Sequence, residues 1–340
     1  MVRFFLAILL VVVSFSIIIL FSGKKSEEMP SLSIVDSEIA ASYNFIEQEL
    51  QKNGIQLFMC KKSFDDCRGM RYSPFVASMI CETLYELNPI RFGDFLKNET
   101  QKLSQFQGEH FFWDFNHIKN PKENFYFPDL DTTSLTSYFL MQQNVEFHLD
   151  KIRKQIYETQ FQDGVLLTFL RDFQPPADSK FNSDPVVNAN TLVILDKEIP
   201  SVCDFVNGNF EKSLYYEDDI VVFYMLSTAY KRGVKCIRPA LENLYEKLKK
   251  SDFIQSKDSP LHLSMFVSAC FNSEMIEEKV VEKTTKSLFS ENRSLPFKES
   301  WFHSGLKQEY DCYFSPSFSA AVYAEALTNI KSYLSESENR

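Results

Sequence analysis

Six apolar stretches that are nearly free of charge, each preceded by a helix-capping residue, constrain the fold of this chain most. Each follows Ser or Asp, and in four of them Pro comes directly after, which is the arrangement that starts a helix. The six starts are Ser73-Pro74-Phe75, Asp129-Leu130-Asp131, Asp184-Pro185-Val186, Asp218-Asp219-Ile220, Ser259-Pro260-Leu261 and Ser315-Pro316-Ser317. A helix that is apolar on nearly all sides is buried on nearly all sides. The pattern therefore predicts six inner helices.

The segments between these stretches carry charge on one face and apolar residues on the other. They include residues 145–158, 238–249 and 274–288, which we predict to be outer helices. Alternating buried and amphipathic helices favour a closed double ring, because an open stack would leave its two end faces uncovered. No run of alternating strand residues competes with this interpretation. The sequence predicts an all-α fold, an (α/α)6 toroid.

An internal repeat supports the ring. The sequence Phe106-Gln107-Gly108 with Asp129 downstream is matched by Phe161-Gln162-Asp163-Gly164 with Asp184 downstream, at a spacing of about 55 residues in both cases. Repeated helix pairs of this length are typical of solenoids and toroids.

The N-terminus is apolar and uncharged over residues 4–21, whose 18 positions span roughly 27 Å as a helix, close to the thickness of a bilayer core. No small-residue cleavage site follows, so we expect an uncleaved anchor. Arg3 is balanced by Lys24 and Lys25, and the short N-terminal tail favours a body outside the cytoplasm. The predicted organisation is an anchor at 1–23, a linker at 24–38, the toroid at 39–335 and a polar tail at 336–340.

Composition narrows the classes of partner. The net charge is −10, with 36 Lys and Arg against 46 Asp and Glu, and no basic stripe occurs, so nucleic acid is not an expected partner. The 33 Phe and 15 Tyr favour an aromatic core or an aromatic-lined cavity. The seven Cys contain no CxxC motif, and we interpret most of them as small core residues. Cys60 and Cys67 bracket a polar loop, where a disulfide is left open.

Three segments resemble one known superfamily. Residues 129–135, DLDTTSL, resemble the DxDDTA stretch of class II terpene cyclases and squalene–hopene cyclases. Residues 184–190, DPVVNAN, look like a segment of uncharacterised bacterial proteins in the terpenoid cyclase and protein prenyltransferase toroid superfamily. Residues 313–321, with 324–327, are similar to the closing repeat of those proteins. The resemblance covers roughly residues 40–335 by repeat placement.

The resemblance implies a role for two aspartates. It makes Asp131 the general acid that protonates an alkene or epoxide, and Asp129 the carboxylate beside it. A proton is retained in such a site by burial and by an adjacent carboxylate. Thr132 stands where the family has its third acid, and Leu166 stands where a Trp is expected in the family's repeat element.

Each of these acids is also explained by helix capping. Acids in a first helical turn bind free N–H groups and favour the helix dipole, at about 0.3–1 kcal/mol each. This applies to Asp129 and Asp131, and equally to Asp218 and Asp219. Asp184 and Asn188 lie one turn apart and face the same point, where a cap plus a hydrogen bond to a neighbour is the simpler interpretation.

Other chemistries have little support in the sequence. The prenyltransferases of this superfamily bind zinc with D-x-C and a later His, whereas Asp311 and Cys312 are adjacent and no His follows them. The five His are not clustered, and no G-x-S-x-G, P-loop or dinucleotide-binding motif occurs. We expect neither metal nor cofactor.

Three functions remain open at this level. The first is a membrane-anchored terpenoid cyclase-like enzyme acting on an isoprenoid chain, with Asp131 as its acid. The second is a carbohydrate-active toroid with two carboxylates, Asp131 and either Asp184 or Asp219, around a glycosidic bond. The third is a non-catalytic toroid that binds a lipid or a protein segment. A deep apolar cavity favours the first, an open polar groove the second and a filled centre the third. The predicted substrate-binding residues are Asp184, Asn188, Tyr216, Asp219, Trp301 and Tyr313, and the wider set of candidate pocket aromatics adds Tyr126, Phe127, Tyr224, Phe302 and Phe314.

Overall fold

The fold is a ring of helix pairs with two small sheets at one end. The computed structural model describes residues 29–60, 67–108, 111–115, 128–169, 183–216, 218–251, 259–289, 295, 297, 302–303 and 312–338. Within these residues twelve α-helices alternate between an inner and an outer layer. The predicted all-α toroid is confirmed.

The inner layer is formed by the six apolar stretches. Its helices are α2 (Pro74–Leu87), α4 (Leu130–Gln142), α6 (Pro185–Leu195), α8 (Asp219–Lys231), α10 (Pro260–Asn272) and α12 (Pro316–Glu338). Each inner helix packs against the next one along the chain, and α12 packs back against α2, so the ring closes. The six helices run in one direction. The ring therefore has an N-terminal end, where all inner helices begin, and a C-terminal end.

The outer layer is formed by the amphipathic segments. Its helices are α1 (Leu32–Asn53), α3 (Gly93–Gln105), α5 (Leu149–Gln155), α7 (Pro200–Asn209), α9 (Arg238–Lys250) and α11 (Glu278–Phe289). The last inner helix, α12, packs extensively on α1, which joins the two ends of the chain. Helix α1 begins inside the segment predicted as a linker, and α12 extends into the predicted polar tail.

All six predicted helix starts are confirmed. The N-cap side chains of Ser73, Asp129, Asp184, Asp218 and Ser259 each accept a hydrogen bond from an amide of the first turn. The sixth N-cap, Ser315, accepts from the Phe318 amide at 3.4 Å. An N-cap side chain binds an amide two or three residues later in the chain, so these helix starts could be predicted from the sequence. The outer helix predicted at 145–158 begins four residues later, after Asn144 turns the chain with a positive φ of 53°.

Six short β-strands in the described residues were not predicted from the sequence. Strands β1 (Leu57–Cys60), β2 (Cys67–Arg71), β5 (Phe302–His303) and β6 (Cys312–Phe314) form an antiparallel sheet in the order β2-β1-β6-β5. Strands β3 (Phe161–Gln162) and β4 (Val165–Leu166) form a hairpin. These strands of two to five residues are too short to give an alternating pattern. The β1–β6 pair connects the segments before α2 and α12, so the larger sheet lies across the seam of the ring.

A disulfide joins Cys203 in α7 to Cys236 in the turn before α9. The prediction that most of the seven Cys are small core residues did not single out this pair. Cys81 and Cys270 are free and buried, as predicted for core thiols. In the larger sheet the backbone of Cys60 lies opposite that of Cys67.

None of the helices in the described residues is long and apolar enough to cross a bilayer. The segment predicted to do so, residues 4–21, lies outside the described residues.

Candidate functional site

Asp131 lies in the first turn of α4 at the N-terminal end of the ring and is only 7% exposed. Its Oδ1 accepts a hydrogen bond from Asn190 Nδ2 of α6 at 2.8 Å. Its Oδ2 accepts one from the hydroxyl of Tyr216. Burial raises the pKa of Asp131 to about 6, although both hydrogen bonds act to lower it. The carboxyl thus titrates near neutral pH and has a donor on each oxygen.

Asp129 is the N-cap of α4 and lies two residues before Asp131. Its Oδ1 accepts from the Thr132 amide at 2.7 Å and its Oδ2 from the Thr132 hydroxyl at 2.9 Å. Thr132, which replaces the third acid of the resembled motif, is therefore a partner of the cap. Burial, followed by the charges of Asp131 and Asp114, raises the pKa of Asp129 well above its usual range. Asp114 is bridged to the neighbouring Pro128, and burial raises its pKa to about 6.

Asp184 is the N-cap of α6 and is fully buried. Its Oδ1 accepts from the amides of Val186 and Val187, and its Oδ2 accepts from the Ser213 hydroxyl and the Leu214 amide, both at 2.8 Å. Burial raises its pKa even against these donors. This carboxylate binds the α6 terminus to the segment before α8, which is the capping interpretation of its role.

Asn188 connects α6 to the β3–β4 hairpin. Its side chain pairs with both backbone groups of Leu166, accepting from the amide and donating to the carbonyl at 2.9 Å each. Its Nδ2 also donates to the Asp184 carbonyl. All of its hydrogen-bonding groups are used within the fold, so Asn188 fixes the hairpin at this end of the ring.

The remaining predicted binding residues lie apart from Asp131. Asp219 forms an ion pair with Lys247 of α9 at 2.9 Å, on the outer side. Tyr313 is buried in β6, and its ring packs edge-on against Phe115 at 5.7 Å. Trp301 lies outside the described residues, as do Tyr126 and Phe127.

We call Asp129, Asp131, Asp184, Asn190 and Tyr216 the aspartate cluster. Four of these were predicted as site residues from the sequence, and Asn190 was not. Its signal was present, since a buried amide in an otherwise apolar inner helix requires a partner. The cluster is built on neutral donors, because hydroxyls, amides and Asn190 supply the hydrogen bonds to its carboxylates.

A second group of polar side chains occupies the C-terminal end of the ring. We call Glu82, Glu86, Lys231, Arg232 and Glu325 the axial charge cluster. Glu82 and Arg232 form a two-pronged ion pair with both side chains almost fully buried, at 7% and 4% exposure. Lys231 pairs with Glu86 at 2.5 Å. Glu325 accepts from the Tyr224 hydroxyl at 3.0 Å. These charges at helix ends were not singled out in the sequence.

The axial charge cluster lines a cavity of about 20 Å³ together with Tyr224 and Asn272. A space of this size holds about one water molecule. The cavity between these side chains at the C-terminal end of the ring is thus small.

The comparisons with known proteins bear on the fold. No family model matches the sequence, and no curated protein matches it. Among solved structures, the chain is similar to the type II terpene cyclase MstE from Scytonema in its apo form, with a TM-score of 0.64 and 14% identity. The match covers 89% of this chain and 99% of that one. The predicted likeness to the terpenoid cyclase-like toroids is therefore confirmed at the level of the fold.

Proposed function

We propose that this protein is a terpenoid cyclase-like enzyme in which Asp131 is the general acid toward an isoprenoid chain. The observation that carries the proposal is the environment of Asp131, a buried carboxyl with a donor on each oxygen, within a toroid similar to that of a type II terpene cyclase. Fold alone does not give function, so the proposal depends on this site.

The environment suits an acid for two separate reasons. Burial raises the pKa of Asp131 to about 6, so a proton is available in mildly acidic to neutral solution. The hydrogen bonds from Asn190 and Tyr216 stabilise the carboxylate that remains after the proton leaves. Stabilising the conjugate base lowers the free energy of the charged state that proton transfer creates.

Asp129 contributes through its charge and its cap. Burial raises its pKa, which favours the uncharged carboxyl and so limits its repulsion with Asp131. Its hydrogen bonds to Thr132 begin α4 and so fix the position of Asp131 in the first turn. We assign Asp129 a positioning role.

The packed C-terminal end favours a second candidate, a non-catalytic toroid that binds a lipid or a protein segment. The axial charge cluster leaves a space for about one water there, which is too small for a substrate at that end of the ring. The carbohydrate-active alternative has less support. Both carboxylate oxygens of Asp184 accept hydrogen bonds from backbone amides, and Asp219 forms an ion pair with Lys247. Neither residue is therefore available as a second catalytic carboxylate.

For the location, we propose a single N-terminal anchor at residues 1–23 and a body outside the cytoplasm. The length and apolarity of residues 4–21 support the anchor. The disulfide between Cys203 and Cys236 supports the compartment, since such bonds persist where the environment is oxidising. Cysteine alkylation of intact cells before and after reduction tests this, and alkylation of both thiols without reduction would place the body in the cytoplasm.

The activity is tested by product analysis. Detergent-purified full-length protein is incubated with squalene, with C15 to C20 prenyl diphosphates and with the matching alcohols. We expect a cyclic product from the wild type, its loss in Asp131→Asn, and full activity in Asp94→Asn. Asp94 is the matched control, because it is an exposed acid in the first turn of outer helix α3. No turnover by a stably folded wild type would favour the binding toroid.

A further inference from the structure

Three buried polar atoms near the aspartate cluster have no hydrogen-bond partner in the described part of the chain. They are the Tyr215 hydroxyl, Asn190 Oδ1 and Thr168 Oγ1. Their residues are 8%, 1% and 3% exposed. Buried polar groups in folded proteins nearly always have a hydrogen-bond partner. We therefore expect a ligand group or an ordered water molecule to bind these three atoms.

The three residues surround the same end of α4. Asn190 donates to Asp131 through Nδ2, so its free Oδ1 belongs to an amide already held in place at the acid. The Tyr215 ring lies edge-on to Phe169 at 6.0 Å, and the Phe169 backbone is bridged to Asp129. The Thr168 carbonyl accepts from the Leu130 amide at 2.8 Å. All three atoms are therefore carried by segments that contact the first turn of α4.

The carboxyl groups near Tyr215 restrict the chemical class of ligand that can bind there. Burial, followed by the nearby carboxylates of Asp184, Asp129 and Asp131, raises the pKa of the Tyr215 phenol, so the hydroxyl stays protonated and can donate. An anionic group such as a diphosphate meets no cation in the aspartate cluster, whose hydrogen bonds come from neutral donors. A cation would compete with donors that already occupy the carboxylate oxygens. A neutral group that both accepts and donates a hydrogen bond fits best.

We propose that Tyr215 and Asn190 bind a hydroxyl group of the substrate beside Asp131, which makes the substrate class a neutral isoprenoid alcohol. The Tyr215 hydroxyl donates to the ligand oxygen, and the ligand hydroxyl donates to Asn190 Oδ1. Thr168, whose carbonyl accepts from the Leu130 amide, offers a further donor or acceptor at this end of α4 through its Oγ1. This inference rests on the proposed function and names the substrate of that site.

The test is a binding titration of full-length protein in detergent, followed by intrinsic fluorescence. The probes share one C20 chain and differ in the end group: geranylgeraniol, its methyl ether, its diphosphate and the hydrocarbon. We expect the alcohol to bind at least about tenfold more tightly than the hydrocarbon or the diphosphate, as one or two net hydrogen bonds allow. The methyl ether, which cannot donate to Asn190, should fall between them.

The matched variants are Tyr215→Phe and Tyr245→Phe. Tyr245 is a buried tyrosine of outer helix α9, so its hydroxyl lies on the other layer of the ring. Tyr215→Phe removes an unpartnered hydroxyl and should leave the folded state intact, which thermal unfolding checks. It should weaken alcohol binding about five- to tenfold and leave hydrocarbon binding unchanged, whereas Tyr245→Phe should change neither.

The outcomes separate this inference from the proposed function. If the hydrocarbon binds as tightly as the alcohol and Tyr215→Phe has no effect, a water occupies the three atoms and the inference is overturned. Tighter binding of the diphosphate overturns it as well. If none of the four probes binds, the proposed isoprenoid function fails with it. Binding that follows the expected order in Asp131→Asn, where no product forms, supports the inference independently of turnover.

Discussion

The two ends of the ring hold their carboxylates with different partners. At the N-terminal end, the carboxylates of the aspartate cluster are held by neutral donors, and burial raises the pKa of each of them. At the C-terminal end, Glu82 and Glu86 are paired with Arg232 and Lys231. A carboxylate without a cation keeps its proton more readily than one with a cation nearby. Burial also raises the pKa of Glu82, but the charge and the hydrogen bonds of Arg232 act against it, so it is the ion pairs that distinguish this end of the ring from the other.

The two ends are also linked. The Arg232 guanidinium lies over the Tyr138 ring of α4 at 4.7 Å, and its charge lowers the pKa of Asp131. The axial charge cluster therefore acts on the acid as well as on the packing of the ring. Variants at each end test whether stability and proton affinity separate in this way.

The largest effect is expected at the buried ion pair. Arg232→Met leaves the Glu82 carboxyl unpaired in the interior, and we expect the free energy of unfolding to fall by about 3–5 kcal/mol. The neighbouring Lys231→Met is the matched control, because its pair with Glu86 is 41% and 34% exposed, and it should lose less than about 1 kcal/mol. Urea unfolding measures both.

The double variant with Glu82→Leu and Arg232→Met sharpens this result. Removing both partners leaves no unpaired charge, so most of the lost stability should return. A loss equal to that of Arg232→Met alone would mean that packing, and not charge, determines the stability of this end.

The disulfide reinforces the same end of the ring. Cys203 and Cys236 are separated by 33 residues and connect α7 to the turn that follows inner helix α8. Replacing both by Ala should lower the free energy of unfolding by about 2–4 kcal/mol, because the unfolded chain regains loop freedom. Reductant should destabilise the wild type by a similar amount and leave the double variant unchanged. Equal sensitivity of the two proteins to reductant would contradict the assignment.

A core substitution usually lowers the free energy of unfolding, but Asp131→Asn should raise it relative to the wild type at high pH. Folding raises the pKa of Asp131 from 3.8 to about 6, so the stability that this group contributes is present below pH 4 and is lost as the pH rises through 6. Because Asn does not ionise, the variant does not lose stability in this way as the pH rises. Relative to the wild type, it should gain about 2–3 kcal/mol in the free energy of unfolding between pH 4 and pH 8. Urea unfolding across this range measures the difference, with Asp94→Asn as the flat control.

Whether a feature of the fold or the site can be predicted from the sequence depends on how far apart in the chain the interacting residues are. The inner helix starts were predictable because Ser or Asp caps act over three residues, as at Asp184. The ring was predictable from the absence of charge on six helices. The partners of Asp131 were not all predictable, because Asn190 and Tyr216 reach it from 59 and 85 residues away. Nothing local pairs Glu82 with Arg232, which are separated by 150 residues.

The smallest effect is expected for Tyr216→Phe, which removes one donor from Asp131 Oδ2 and leaves the carboxyl buried. Losing a donor that stabilises the carboxylate raises the pKa of Asp131. The inflection in its stability-against-pH curve should move upward from about 6 by about 1 unit, the equivalent of a single net hydrogen bond. The measurement is the same urea series, with Tyr245→Phe as the control that does not move. An unchanged inflection would show that burial alone determines the proton affinity of Asp131, and that the donors at this end of the ring only orient the carboxyl.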